Sequence, residues 1–293
     1  MSRLQARAAV RTCEQPARRR QKVALDDVTV IIPVRNASSL LEGCLGAKGL
    51  QGVHEVIVVD GLSTDDSLDI AHRYTNTILS DEGRGLPSAR MLGVQRATTP
   101  WVALVDADVI LGEEALSTLL QECVSGDYVA LQAGLESTSG SGYWGRALVQ
   151  HHRFGMSKDW FGVVATIFER STLLKHGFDP AFLSGEDIEL RRRLERSGAR
   201  IGVSKTTIVE HRFQGDDFSF ARDQFLADGH GLGRMVRHRG YRVGFLVALP
   251  LAASVRGILL SLLRRQPQWV PYYLAYMAFN YVGMLPELFH YDV

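Results

Sequence analysis

From Val28 onward the chain alternates short, unbroken apolar runs with amphipathic segments. "VTVIIPV" (28–34) is β-branched and uncharged, the pattern of a strand buried on both faces. "HEVIVVD" (54–60), "TILSD" (77–81) and "WVALVDAD" (101–108) repeat that pattern, and each ends on an aspartate. Between them lie helical patterns. "NASSLLEGCLGAK" is expected to be capped by Asn36 or Ser38, and "STDDSLDIAHRY" by Ser63 or Thr64. "LPSARMLGVQRA" (86–97) and "GEEALSTLLQECV" (112–124) complete the set. Strands alternating with helices predict an α/β domain with a mostly parallel sheet and helices on both faces. Ligands of such sheets bind beyond the carboxyl ends of the strands. Asp60 and the pair Asp106/Asp108 are therefore expected to share one crevice.

The second half is less regular. "DYVALQAGL" (127–135) reads as a strand, "GSGYWG" as a break, and 161–179 as an apolar segment, a short helix and a turn. "SGEDIELRRRLERSG" (184–198) has acids in its first turn, bases in its last and Gly198 as a stop, an order that suits the helix dipole. "ARIGVSKTTIVEHRF" (199–213) reads as one or two strands, and the glycine-rich stretch 212–234 as a loop. The end of the chain is uncharged from Val243 to Val255 and again from Gln266 to Pro286. The second stretch is nominally long enough to span a bilayer, but Pro271, Asn280, Pro286 and its tyrosines make it a poor span. Two spans would also put Arg264 and Arg265 on the far side, against the positive-inside tendency. Three arrangements stay open: interfacial or re-entrant helices, buried or dimer-interface helices, and a true hairpin. Trp269, Tyr272, Tyr273 and Tyr276 suit a wet–greasy boundary. The expected organisation is a basic tail (1–25), a catalytic domain (26–240) and an apolar helical region (241–293), the last either membrane-associated or used for homodimerisation.

Composition narrows this picture. The chain has 293 residues, 46% hydrophobic and 22% charged, which fits one large domain with an appendage. A net charge of +1 gives no overall basicity for nucleic acid. The tail concentrates Arg3, Arg7, Arg11, Arg18, Arg19, Arg20 and Lys22 against Glu14, and reads either as disordered or as an arm for anionic lipid. It lacks an apolar core of signal-peptide length. Cys13, Cys44 and Cys123 lack metal spacing, which argues for a reducing compartment. The expected location is cytoplasmic, on the inner face of the cell membrane.

The chemistry centres on Asp106 and Asp108. In an extended chain, positions i and i+2 point the same way. Two carboxylates there are costly unless a cation compensates. Oxygen ligands select Mg²⁺ or Mn²⁺, which keeps positions open for phosphate oxygens. The bland alternative is a turn with two solvated aspartates.

The ordered set "VIIPVRNASSLLEGCL", "EVIVVDGLSTDDS", "GLPSARMLGVQRA", "VALVDADV" and "SGEDIELRRRL" resembles glycosyltransferase family 2, whose fold is GT-A. The resemblance covers about residues 28 to 213 and implies inverting, metal-dependent transfer of a sugar from a nucleotide donor, UDP-sugar favoured, to a hydroxyl acceptor. It places Pro33 and Arg35 where the first strand meets the nucleotide, Asp60 at the base, and Arg90 facing the nucleotide or its phosphates. Asp106 and Asp108 fall on the metal-binding D-x-D, the second as the direct ligand and the first nearer the ribose. Leu62 departs from the usual small-residue turn, which puts Asp65 rather than Asp60 in question. Asp187 falls on the catalytic base with Glu186 beside it, and Arg193 on a helix arginine that pairs with an acid of the motif. Helix-favouring acids would explain Glu186 and Asp187 without catalysis. His211 falls on a metal or diphosphate contact, Arg212 on a phosphate contact, and Trp160 lines the acceptor side; the 212–234 loop is expected to close over bound donor. A lipid-anchored acceptor, such as a polyprenyl-linked one, would explain the apolar end. Two other classes compete. A haloacid-dehalogenase-like phosphatase would use Asp106 and Asp108, with Lys205 and Asp216/Asp217 as its later groups. A non-catalytic, membrane-tethered sugar-nucleotide-binding module would not need Asp187.

Overall fold

The computed structural model describes residues 23–154 and 161–289. The basic tail to Lys22 and Trp160 lie outside the described residues, and so do the roles expected of them. The first strands form as the apolar runs dictate. β1 (Val28–Val34) is buried along its whole length between β2 (Glu55–Asp60) and β4 (Trp101–Val105), parallel to both. β3 (Thr77–Ser80) extends the parallel set beyond β2. Successive side chains of a strand point to opposite faces, so one run feeds two cores. Val30, Ile32 and Val58 join Leu41 and Leu119 on one side; Ile31, Ile57 and Val59 join Ala89, Val94 and Phe168 on the other. Each such aliphatic side chain contributes about 1.5–3 kcal/mol when fully buried.

The connecting helices are α1 (Ser38–Leu45), α2 (Ser67–Ala71) and α3 (Leu86–Arg96). The expected caps do not form, because α1 and α2 start from Ala37 and Asp66, neither with a side-chain cap bond. The polar side chains instead stitch two loops together. Asn36 N–H donates to Ser63 Oγ (3.0 Å), Thr64 N–H to Asn36 Oδ1 (2.8 Å), and Ser38 N–H to Asp65 (3.0 Å). Asp65 also accepts from the Ser67 hydroxyl, which holds its carboxyl well below the usual range.

Beyond β4 come β5 (Val109–Ile110), α4 (Ala115–Ser125), β6 (Ala130–Thr138), α5 (Tyr143–Phe154), β7 (Ala165–Glu169), α6 (Arg170–His176), α7 (Glu186–Arg196) and β8 (Ile201–Arg212). The sheet order is β3-β2-β1-β4-β7-β6-β8-β5. β7 runs antiparallel to β4 and β6, β5 antiparallel to β8, and β6 parallel to β8. The result is the mixed, mostly parallel sheet expected of the fold class.

Two expectations fail here for local reasons. The "GSGYWG" break opens into α5, because the Asp216 carboxylate accepts the Gly142 N–H (2.6 Å) from across the chain. The 212–234 stretch is not a loop: most of it is α8 (Phe218–Arg239), started by Asp217, which accepts from Phe220 N–H (2.8 Å). Its glycines serve close packing. A Cβ on Gly229 would sit 2.1 Å from Asn280 O, and one on Gly233 2.7 Å from Met284 O. Both partners belong to α10 (Val270–Phe289), which follows α9 (Leu249–Leu263). Tyr272 and Asn280 are 0% exposed and Tyr273 7%. The tyrosines expected at a membrane boundary therefore pack inside this helical layer, against Phe225, His151 and one another.

Candidate active site

β4 ends at Val105, and the Val109 N–H closes a turn on Asp106 O (3.1 Å). The two aspartates are thus not aligned as in an extended strand. They diverge. Asp106 accepts from Arg90 Nη2 at 2.8 Å. Asp108 meets His211 Nε2 at 3.2 Å, a contact set by the pairing of β5 with β8, in which Val109 stands opposite His211.

Arg90 lies on α3, is 1% exposed, and donates through its other terminal nitrogen to Glu186 at 2.8 Å. One guanidinium therefore ties the turn after β4 to the first residue of α7. Burial pushes the Asp106 carboxyl up to about 6, against the pull of Arg90 and with the push of Asp108. Burial alone would lower the His211 imidazole; its hydrogen bond to Asp108 and the charges of Asp108 and Asp106 outweigh this, and the net shift is upward.

Three polar atoms of this cluster are buried without a partner, Arg90 Nε, Asp108 Oδ1 and His211 Nδ1. A divalent cation would satisfy the orphaned carboxylate oxygen, so the residues fit such an ion. Among the described residues, however, no group of three or more His, Cys, Asp or Glu side chains is drawn together as a ready metal site. Asp106, expected as a third ligand beside Asp108 and His211, accepts from Arg90 through Oδ1.

The other predicted residues fall as follows. Asp60, at the end of β2, is buried and accepts the Ser63 N–H on both oxygens (3.3 and 3.2 Å). The intervening Leu62 takes a left-handed backbone (φ 62°) and faces solvent, so the inserted residue costs strain rather than displacing Asp60. Pro33 is buried in β1, and Arg35 just beyond it is exposed at the mouth of the same crevice. Glu186 is buried and committed to Arg90; Asp187, one residue on and about 100° round the helix, is half-buried. Arg212 turns onto Glu210 (2.9 and 3.1 Å). Arg193 pairs with Glu189, an acid of the same motif, and also donates to the carbonyls of His176 and Gly177. Asp216 and Asp217 hold helix starts and Lys205 is exposed on β8, which leaves the phosphatase alternative without its later groups. The sequence reading did not single out Arg90 as the link between the two acidic motifs; its place among apolar positions of α3 was the available signal.

Comparison with known proteins follows the same lines. The family model "Glycosyl transferase family 2" matches residues 29–176. The pre-mycofactocin glycosyltransferase of Mycobacterium tuberculosis is 30% identical over 236 residues, covering 72% of this chain and 48% of that protein. The chain thus spans about half the length of the curated relatives it matches. Among solved structures, the mannosyltransferase PcManGT from Pyrobaculum calidifontis, in complex with GDP-Man and Mn²⁺, superposes with a TM-score of 0.63 at 19% identity over 88% of this chain and 87% of that one. Glucosyl-3-phosphoglycerate synthase from Mycobacterium tuberculosis, in complex with Mg²⁺ and UDP, gives 0.52 at 16% identity over 74% and 84%. At these identities the likeness is one of fold.

Proposed function

Because the chain belongs to glycosyltransferase family 2, we propose that it moves a sugar from a nucleotide-diphosphate donor to an acceptor hydroxyl, with inversion, in a catalytic unit spanning residues 26–240. The observation that carries this reading is the bridge from half-buried Asp106 through buried Arg90 to buried Glu186. It fixes the D-x-D turn and the start of α7 relative to each other, as a single displacement requires of its donor and acceptor sides.

Pro33, Arg35 and Asp60 line the nucleotide end, with Asp60 accepting from the base and Asp106 turned toward the ribose. Arg90 acts behind them by holding Asp106. Asp108 and His211 would hold Mn²⁺ or Mg²⁺, which when bound neutralises charge on the leaving diphosphate. Asp187 takes the proton of the attacking hydroxyl; Glu186, engaged by Arg90, positions it. Arg212 sits near enough to His211 to assist the phosphates once released from Glu210.

A place on the inner face of the membrane is part of the same reading. Val243–Leu263 is the one segment among the described residues long and apolar enough to cross a bilayer, with mean hydropathy 2.0 and 28% of it buried. Leu251, Val255, Leu259 and Leu262 are each about half exposed, at helical spacing, and Arg264 and Arg265 close the stripe. An acceptor carried on lipid suits that surface.

Calorimetric titration of UDP, GDP and dTDP, with and without Mn²⁺, tests the donor side. Metal-dependent binding of one nucleotide, lost in Asp108→Ala, is the expected outcome. No nucleotide binding under any condition would sink it.

A further inference from the structure

His211 is held at one ring nitrogen only. Its Nε2 meets Asp108 Oδ2 at 3.2 Å, while Nδ1 is buried and has no partner. A histidine that holds a cation is ordinarily aimed by a hydrogen bond at its other ring nitrogen. That bond is missing here, so the tilt of the imidazole has to be set by what packs against it.

The packing comes from the same stretch of chain. Positions two apart in an extended chain point the same way, and the ladder continues just past β8, where the Phe213 N–H donates to Thr138 O (2.9 Å). The Phe213 ring lies beside His211, with centroids 5.1 Å apart and planes at 72°. It meets His152 of α5 in the same edge-to-face manner, at 5.1 Å and 83°. His152 Nδ1 in turn lies 3.1 Å from Ser137 Oγ, and Ser137 stands opposite His211 in the pairing of β6 with β8. Four residues thus close a circuit, Ser137 to His152 to Phe213 to His211, completed by the sheet itself. Edge-to-face contact is a favoured geometry for such rings, and it fixes the tilt of each against the next. Phe220 of α8, at 6.3 Å, and the apolar cluster of Ala147, Leu148 and Ala221 keep Phe213 in place.

Resting on the reading of Asp108 and His211 as the residues that hold the cation, we propose that Phe213, braced by His152, is the positioning residue for His211. It keeps Nε2 aimed at Asp108 and takes the part that a hydrogen bond at Nδ1 would otherwise play. Its effect on donor binding passes through the imidazole. Because His152 belongs to α5 and Phe220 to α8, the aim of His211 is set by the helical layer as well as by the strand that carries it.

The test uses the full chain with ¹⁵N-labelled histidine and no metal, so that the ring is read before any cation is present. His211 signals are assigned by their loss in His211→Gln. In the wild type the Nε2 proton is expected to exchange slowly, as one held on Asp108 does. Phe213→Leu should abolish that protection and shift the His211 ring signals. Those of His54, which precedes β2 at the other end of the sheet and pairs with Asp26, should stay in place. Phe213→Tyr keeps the ring and should restore the wild-type signals. In calorimetry of Mn²⁺ with the nucleotide that binds, Phe213→Leu is expected to weaken the metal about 10- to 100-fold, the usual cost of losing a group that orients a ligand. If Phe213→Leu does not fold, His152→Leu withdraws the brace from behind and is read in the same way. Unchanged His211 signals in the folded variant overturn the proposal, as does a wild type with no protected Nε2 proton. So does an equal disturbance of His54, or a Phe213→Tyr as impaired as Phe213→Leu, since either marks general packing. Asp108→Ala separates the two readings. If it binds Mn²⁺ as well as the wild type, the cation reading goes, while the metal-free spectra still decide whether Phe213 aims the ring.

Discussion

The β1–β4 half and the α8–α10 layer use apolar residues differently. In β1 every residue is buried, and each apolar position serves one of two cores. In α9 the apolar positions divide: Ser254 and Gly257 face inward while Val255, Leu259 and Leu263 (48, 55 and 79% exposed) face out. In the sheet, apolar means core. In the helical layer it means either core or a surface made for something apolar, and small residues mark the inward face. Polar groups differ in parallel. In the loops after β1 and β2 they are spent on each other, as with Asp60 on Ser63 and Asp65 on Ser38, whereas at the turn after β4 and in the helical layer Asp108 Oδ1, His211 Nδ1 and the Tyr272 hydroxyl keep no partner.

The largest expected effect is at the junction of the two regions. Asp187→Asn should lower turnover by about 10²–10⁴-fold, the usual contribution of a general base, and leave nucleotide affinity unchanged by calorimetry. An equal loss of binding would make the two sides one unit. Arg90→Met leaves the buried Glu186 and the half-buried Asp106 without their cation and should destabilise the fold by about 3–5 kcal/mol in urea titrations. Gly229→Ala drives a methyl into the α10 backbone and should cost about 1–3 kcal/mol, while donor binding, remote from that contact, persists.

A smaller effect follows from His151, which packs among Tyr272, Tyr273 and Tyr276. Burial, with help from Arg256, lowers its imidazole from 6.5 to about 4. The unfolded chain therefore takes up a proton that the folded chain refuses, and stability present above 6.5 is lost as pH falls toward 4. Thermal melts across that window should shift less in His151→Gln. The smallest change in stability, about 0.5 kcal/mol or less, is expected for Val255→Gln with Leu259→Gln. That variant should still lose flotation with anionic liposomes; retained flotation would remove the membrane from the comparison.

How far the sequence reached follows the same divide. The parallel strands were legible, because buried strands need unbroken apolar runs; Asp60, Asp106 and Asp108 were singled out at strand ends, and Glu186 and Asp187 through the family resemblance. The stretch 212–234 was not. Glycine signals a loop when read locally, yet Gly229 and Gly233 sit in a helix because Asn280 and Met284 press against them from far along the chain. Trp269 and the tyrosines of α10 read as interfacial, although Tyr272 and Tyr273 are buried against helices the sequence does not place beside them.

By itself, then, the sequence determined the α/β class and the run of its first strands. These depend on local periodicity and on residue type at strand ends. Only the tertiary structure decided that Arg90 joins Asp106 to Glu186 and that Asp108 rather than Asp106 meets His211. Those pairings bring together residues from separate elements, and only packing fixes which carboxylate meets a guanidinium and which an imidazole.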